Sequence, residues 1–508
     1  MIEEAEMDWR EVRARLVAKE QQLEAPASDG SYIYESPLIE QGSILLGGTE
    51  QSFGFALRQQ FFHKSVMLLL QHDDRFTKGI ILNRPSALEL DGWRLWCGHG
   101  QVGEGGIFLG ADAAMGELEI NCLHSLEGEL AKELSTTVIK GVSYTSLEGA
   151  KELVAAGVAK REDFWVCVGY SGWAPGQLQM EYETRSSWYL ASAGSGTLLS
   201  ELLLQAQSLP PPGEGTDSVD LGIDTWGSLM RSIGKEQAVN ASLGSLEDRM
   251  LREWVRAHLL AKAPRKTPAA PPPIITAGSV FCSSVSADTG RPADRVLLRE
   301  QFLHKAVLLC IGDYALEPDG KLVLCVLNRP TDTVMQLNVP GSPRRRVAFT
   351  GSTQLAGNGQ LWLHHRHERG GVAVGDSGVY ALAASDVAEQ LRSGDATASD
   401  FLLVSGSVEM TRAELAGMLS AGEMRSVRPG EALSKLWTRA WSLLEDEGDV
   451  SDGSEVWWLA SLCGKADASD ADDSEALAVP APSELADEAL GEWIEFFARR
   501  NKESGSNS

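Results

Sequence analysis

Two apolar runs separated by a polar loop occur twice in this chain. Gln60–Pro85 reads QFFHKSVMLLLQHDDRFTKGIILNRP, and Gln301–Pro330 runs from QFLHKAVLLC to LVLCVLNRP. In both, Gln-Phe-x-His-Lys opens the first run and Asn-Arg-Pro closes the second. Runs without a polar face predict strands covered on both sides. The link QHDDRFTK is too short for a parallel crossover, so the two runs are expected to pair as an antiparallel hairpin. Pro85 cannot donate to a ladder and is expected to end the strand.

The same patterning places the other elements. Residues 5–21 read as an amphipathic helix docked on the first domain, with Asp8 and Glu11 at capping-box spacing and Trp9, Val12 and Leu16 on one face. Pro26 and Pro37 make 22–41 an extended connection, and 200–224 reads as a mobile loop. Short strands open each half, GSILL at Gly42 and GSVFC at Gly278. Further echoes follow in register. Cys122-Leu123-His124 matches Trp362-Leu363-His364, Asp163-Phe164 matches Asp400-Phe401, and the helix LREWV at 251–255 matches LGEWI at 490–494. The period is roughly 240 residues, too long for a solenoid, so a duplicated domain is expected. The organisation read from this is a helix and connection over 1–41, a first copy over 42–260 and a proline-rich linker over 261–277. A second copy over 278–500 and a tail over 501–508 complete it. The two copies are expected to pair within the chain.

Composition changes the picture in three ways. At 508 residues the chain exceeds one core, and with 43% apolar and 23% charged residues it is globular. A net charge of −26 opposes binding to phosphate backbones, leaving only Arg344–Arg346 as a short basic candidate, so no nucleic-acid partner is expected. Much of that charge sits in 445–490, where fourteen acidic residues face one lysine and an acidic, partly disordered insertion is expected. None of the seven cysteines forms C-x-x-C, the pattern of buried reduced thiols rather than of disulfides or zinc. No apolar run approaches the ~20 residues of a membrane span, and the acidic N-terminus is unlike a targeting peptide.

Three groups carry candidate chemistry. Gly169–Leu178, GYSGWAPGQL, reads as strand, glycine turn and a helix from Pro175. Such a junction offers backbone amides and a helix dipole to an anion, with Tyr170 and Trp173 as stacking walls and Gly172, Gly176 and Gln177 in the turn. The alternative is a tight turn whose Trp173 fills core. The dipeptides His63-Lys64 and Asn83-Arg84 fall near one end of the expected hairpin, either as a cationic site for a carboxylate or phosphate or as strand-end caps. His364, His365 and His367 crowd together without H-E-x-x-H, so neither a metal nor a cofactor is expected.

Gly42-x-Ile-Leu-Leu, Phe62 through Val66, Leu82–Pro85, Leu123-His124 and above all the run Gly169–Leu178 resemble the YqgE/AlgH family across residues 42–195. DWREVRARL at Asp8–Leu16 resembles a helix of plant and algal members and implies a plastid home. The resemblance implies an α+β fold, two tandem copies of a bifurcated-sheet pseudo-barrel with flanking helices. It carries no established activity, although one branch bears a transcriptional-regulator label that the acidic charge disfavours. The second copy departs at the signature, with Met410 for Trp173, Arg412 for Pro175 and Ala413 for Gly176. The reading is a non-enzymatic binding or regulatory protein whose first copy holds a small anionic ligand or a partner segment near GYSGWAPGQL. The alternative is an enzyme using His63, Lys64, Asn83 and Arg84.

Overall fold

The computed structural model describes residues 8–20, 30–49, 59–99, 101–102, 108–109, 119–209, 219–255, 258–259, 275–283, 301–304, 306–314, 321–327, 330–335, 345–349, 360–397, 400–420, 424–427 and 484–493. The chain divides into two units, Met1–Arg265 and Lys266–Ser508. Both are α+β. Among the described residues, no helix is long and apolar enough to cross a membrane.

In the first unit β1 (Ile33–Glu35), β2 (Ser43–Gly47), β3 (Val66–His72) and β4 (Thr77–Ile81) precede β5 (Pro85–Leu90) and β6 (Trp93–Cys97). A short pair, β7 (Gln101–Val102) and β8 (Phe108–Leu109), leads to β9 (Ile120–His124), β10 (Thr136–Ile139) and β11 (Val142–Ser146). β12 (Trp165–Val168), β13 (Ser171–Trp173) and β14 (Trp188–Ala193) follow. One sheet has the order β1-β14-β2-β3-β4-β13 and the other β10-β11-β9-β12-β6-β5. β3 and β4 form the expected antiparallel hairpin, with Leu68 opposite Ile80.

The unbroken apolar runs have the reason anticipated for them, burial on both faces. Ile44, Leu46, Val66, Leu68 and Ile80 belong to one core, and the alternate residues Leu45, Met67, Leu69 and Ile81 to another on the opposite face. The second unit repeats this division, with Val307 and Leu309 on one side and Leu308 and Cys310 on the other.

That unit contains β15 (Val280–Ser283), β16 (Val307–Tyr314), β17 (Lys321–Val326), β18 (Pro330–Met335), β19 (Arg345–Phe349) and β20 (Gln360–His364). β21 (Val372–Ala373), β22 (Tyr380–Leu382), β23 (Leu402–Ser405), β24 (Val408–Thr411) and β25 (Met424–Val427) complete it. Its sheets have the orders β24-β17-β16-β15-β25 and β18-β19-β23-β20-β22-β21. Matching β2, β3, β4, β13 and β14 to β15, β16, β17, β24 and β25 makes the first of these the same sheet without β1.

Several expectations are revised. The N-terminal helix spans Trp9–Glu20 and is held through Ala14, Ala18 and ion pairs from Arg10 and Arg13 to Glu40. Trp9 and Leu16 stay exposed, because these small residues and arginines make the contact rather than the larger apolar side chains. The stretch taken as an extended connection supplies β1, which pairs with β14. Pro85 opens β5 rather than only closing β4, since a first strand position needs no donor. The expected mobile loop over 200–224 is largely helix within Ser195–Ser208 and Val219–Ser232, with 210–218 outside the described residues. The proline-rich linker up to 274, the acidic stretch up to 483 and the tail also lie outside them.

Six cysteines are free and buried, and burial pushes the Cys122 and Cys325 thiols up to about 12. A thiolate is the reactive species. The native chain is therefore expected to leave these six unalkylated by iodoacetamide at pH 8, with all of them labelled in denaturant, as peptide mass mapping would read.

Candidate ligand-binding site

Lys64 stands where the chain enters β3 with φ +50, an uncommon conformation for a residue with a side chain. Its ammonium donates to Asp248 Oδ1 at 2.7 Å, to Asp248 Oδ2 at 2.8 Å and to the Ser242 carbonyl at 2.9 Å. It also lies 5.3 Å from the Trp226 ring centroid. His63 Nε2 meets Asp248 Oδ1 at 2.8 Å. Burial pushes the His63 pKa down, so the ring is neutral at neutral pH and donates from Nε2. Asn83 Oδ1 accepts from Val66 N at 2.8 Å, and its amide donates to the carbonyls of Lys64 at 2.9 Å and Gly222 at 2.7 Å. Arg84 donates to the carbonyls of Asn83 and His63.

His63, Lys64, Asn83 and Arg84 are all at most 2% exposed. The structure brings them together, and their donors turn inward to Asp248 and to the backbone. This network pins the helix Leu246–Val255 to the turn before β3, where Phe61 and Trp254 pack with ring centroids 5.7 Å apart. The arrangement is a brace.

The signature run is built differently. β13 is an edge strand, paired with β4 on one side and with no strand on the other among the described residues. Gly172 has no room for a side chain, since a Cβ would lie 2.8 Å from the Phe76 ring. Gly176, at φ +73, turns the chain into the helix Gln177–Glu183, two residues later than expected from Pro175. The Gln177 amide nitrogen donates to the Ala174 carbonyl at 3.0 Å, so that amide is not offered to an anion.

Instead the helix presents a carboxylate. Glu181 Oε2 accepts from the indoles of Trp173 and Trp188, each at 3.0 Å, and Oε1 accepts from the Gln177 amide at 3.0 Å. All three are neutral donors. Beside them lies a cleft of about 300 Å³ that runs along Ser171, Gly172 and Trp173. Phe62, His99 and Trp188 form its aromatic walls, and Glu181 and Arg185 its charges. The Ser171 hydroxyl is 4% exposed and has no hydrogen-bond partner among the described residues.

Of the residues singled out from sequence, Gly172, Trp173 and Gln177 line this cleft. Tyr170 does not. It faces the inter-sheet core, against Phe76 and 4.8 Å from Lys78 Nζ. Gly176 shapes the turn without lining the cleft, and the four brace residues are absent from its walls.

A family model described as AlgH-like matches residues 54–207, the segment that holds both groups. A UPF0301 protein of Streptomyces coelicolor is 33% identical over 150 residues, 28% of this chain and 74% of that relative. The chain belongs to the AlgH-like UPF0301 family. A UPF0301 protein of Chlorobaculum tepidum is 26% identical over 170 residues, 33% of this chain and 82% of its own. The solution structure of the AlgH protein from Pseudomonas aeruginosa covers 34% of this chain and 89% of its own, at 20% identity and TM-score 0.25. A crystal structure of a protein from Corynebacterium diphtheriae covers 40% and 94%, at 17% identity and TM-score 0.26. This AlgH-like family has no established biochemical activity.

Strand register shows what the second unit holds at the positions of the AlgH-like cleft. Met410 pairs with Leu322 as Trp173 pairs with Thr77, and Met424 pairs with Ser283 as Trp188 pairs with Gly47. Along the following helix, Met418 stands where Glu181 stands, and Val408 replaces Ser171. Indole, carboxylate, indole and hydroxyl thus become three thioethers and a valine. Met410, Met418 and Met424 join an apolar core. Two contacts of the brace recur, His304 Nε2 on Asp487 Oδ1 at 2.8 Å and Phe302 against Trp493 at 5.3 Å.

Sequence reasoning missed Asp248, Glu181, Trp188 and Ser171. A signal for Asp248 exists, because D-x-x-L-x-E-W occurs at 248–254 and again at 487–493. Ser171 and Trp188 carry none, since their value lies in a cleft that only the packing of β13 and β14 creates.

Proposed function

We propose that this chain is a tandem pair of AlgH-like domains serving as a binding module, with the first unit as the binding half and the second as a scaffold. The observation that carries this is the Ser171 hydroxyl, buried without a partner among the described residues on an aromatic cleft of the first unit, where the second has Val408. A buried polar group left unpaired costs about 1–3 kcal/mol, so a ligand that satisfies it gains that much in affinity. The enzyme alternative loses ground, because Lys64 and Asn83 spend their donors on Asp248 and the backbone and all four side chains are at most 2% exposed. The regulator label predicts DNA retention at low salt, which the −26 charge opposes. A plastid home belongs to the same proposal, and a fluorescent fusion of the full-length gene product tests it.

The deciding experiment is native mass spectrometry of the chain purified gently from its own cells. Ser171→Leu fills the cleft, and Ser171→Ala controls for folding. The expected result is a defined extra mass on wild type that is absent from Ser171→Leu. Equal masses on wild type and Ser171→Leu, with both folded by circular dichroism, would return the signature run to a structural role.

A further inference from the structure

The chemistry of the cleft identifies a class of ligand. Resting on the proposal above, we infer that it takes an extended peptide segment carrying one lysine or arginine, laid along the open edge of β13 with the basic side chain against the Trp188 ring and the Glu181 carboxylate.

Three observations converge. The cleft follows all three residues of an edge strand whose second side pairs with no strand among the described residues. An extended segment there completes a ladder, the recognition mode in which main-chain hydrogen bonds give affinity and side-chain pockets give specificity. The pocket beside that edge combines indole rings with a carboxylate, the surroundings that stabilise an ammonium or guanidinium through ring quadrupole and charge together. Glu181 is fixed there by three donors that are all neutral, so they orient its charge without cancelling it. The remaining charge complementarity is global, since a chain of net charge −26 draws cationic segments toward itself and repels acidic ones. Ser171 then has a role, as its hydroxyl pairs with a backbone group of the incoming segment. A basic segment is opposite in charge to the anion expected from the glycine turn alone.

Arg185, on the same cleft, supplies a control. The probe is a capped, fluorescein-labelled hexapeptide of alternating valine and threonine with one central arginine, compared with glutamine and glutamate analogues by fluorescence anisotropy on the full chain. The arginine peptide is expected to bind about tenfold more tightly than the glutamine one. Glu181→Gln should remove that preference, and Arg185→Gln should leave it in place. Both variants change exposed or half-buried polar groups, and thermal melting verifies their folding.

Tighter binding of the glutamate peptide, abolished by Ser171→Leu, would overturn the basic-segment inference and leave the cleft as the binding site. N-acetylarginine amide binding as well as the hexapeptide would overturn the strand addition. Binding of the arginine peptide unchanged by Ser171→Leu would place it elsewhere and overturn the inference. Absence of binding by every probe, together with equal native masses for wild type and Ser171→Leu, would sink both readings.

Discussion

Replacing Asp248 by asparagine is expected to destabilise the first unit by about 3–5 kcal/mol, the cost of stranding a buried charge without its partner. The substitution keeps the shape of the side chain and removes only the charge that Lys64 needs. Lys64 is 0% exposed, and Asp248 meets its ammonium through both carboxylate oxygens. Urea unfolding followed by tryptophan fluorescence checks this, read on the transition of the first unit because two units need not melt together. A loss under 1 kcal/mol would mean that water reaches Lys64 and that the brace is weaker than its geometry.

The same brace sets a pH dependence. Burial alone pushes the Asp248 carboxyl up, but hydrogen bonds from His63 and Lys64 and the Lys64 charge outweigh it and hold the carboxyl below its ordinary value. A depressed carboxyl contributes stability that is complete above the unfolded value of about 4 and lost as pH falls through the folded one. Burial depresses His63 as well, so the unfolded chain takes up that proton first, and stability already declines as pH falls below about 6.5. In wild type, stability is expected to fall in two steps. Asp248→Asn should abolish the lower one.

Asn83→Ala is expected to cost about 3 kcal/mol, although it deletes only a small amide. Asn83 satisfies the Val66 amide and the carbonyls of Lys64 and Gly222. Each is a buried backbone group, and an orphaned one costs about 1–3 kcal/mol. Water entering the vacated space would recover part of that. Gly222 leaves little room for it, since even a Cβ there would lie 2.4 Å from the Asn83 carbonyl oxygen. Differential scanning calorimetry of the full chain tests the point, and a melting temperature within a degree of wild type would refute it.

How much of this was legible in the sequence depends on how local each feature is. The β3–β4 hairpin was readable because runs such as Val66–Leu70 have no polar face, and the structure buries alternate residues in two separate cores. The signature run was readable as a turn before a helix, since glycine at φ +73 has few substitutes. The groups beside it were not legible, because Glu181 lies one helical turn beyond Gln177 and Trp188 on the next strand. Trp188 is not adjacent until β14 folds back beside β2. The brace was half legible. His63-Lys64 and Asn83-Arg84 were placed together correctly, but the carboxylate that pairs with His63 and Lys64 lies 185 residues after His63. No local pattern spans that distance, so the hairpin alone left both a ligand site and strand-end caps open.

That separation also bears on how the chain is made. The turn at Gln60–Phe62 and the first hairpin leave the ribosome early, and Lys64 then carries a charge it cannot bury alone. Asp248 emerges 184 residues later, which is tens of seconds at the slower rates of synthesis, about 5 residues per second. Until then the nascent hairpin exposes a strand edge and an uncompensated ammonium, the kind of surface that chaperones hold. The helix Leu246–Val255 acts as a timer. Its arrival completes the brace of the first unit, and His304 of the second unit waits in turn for Asp487.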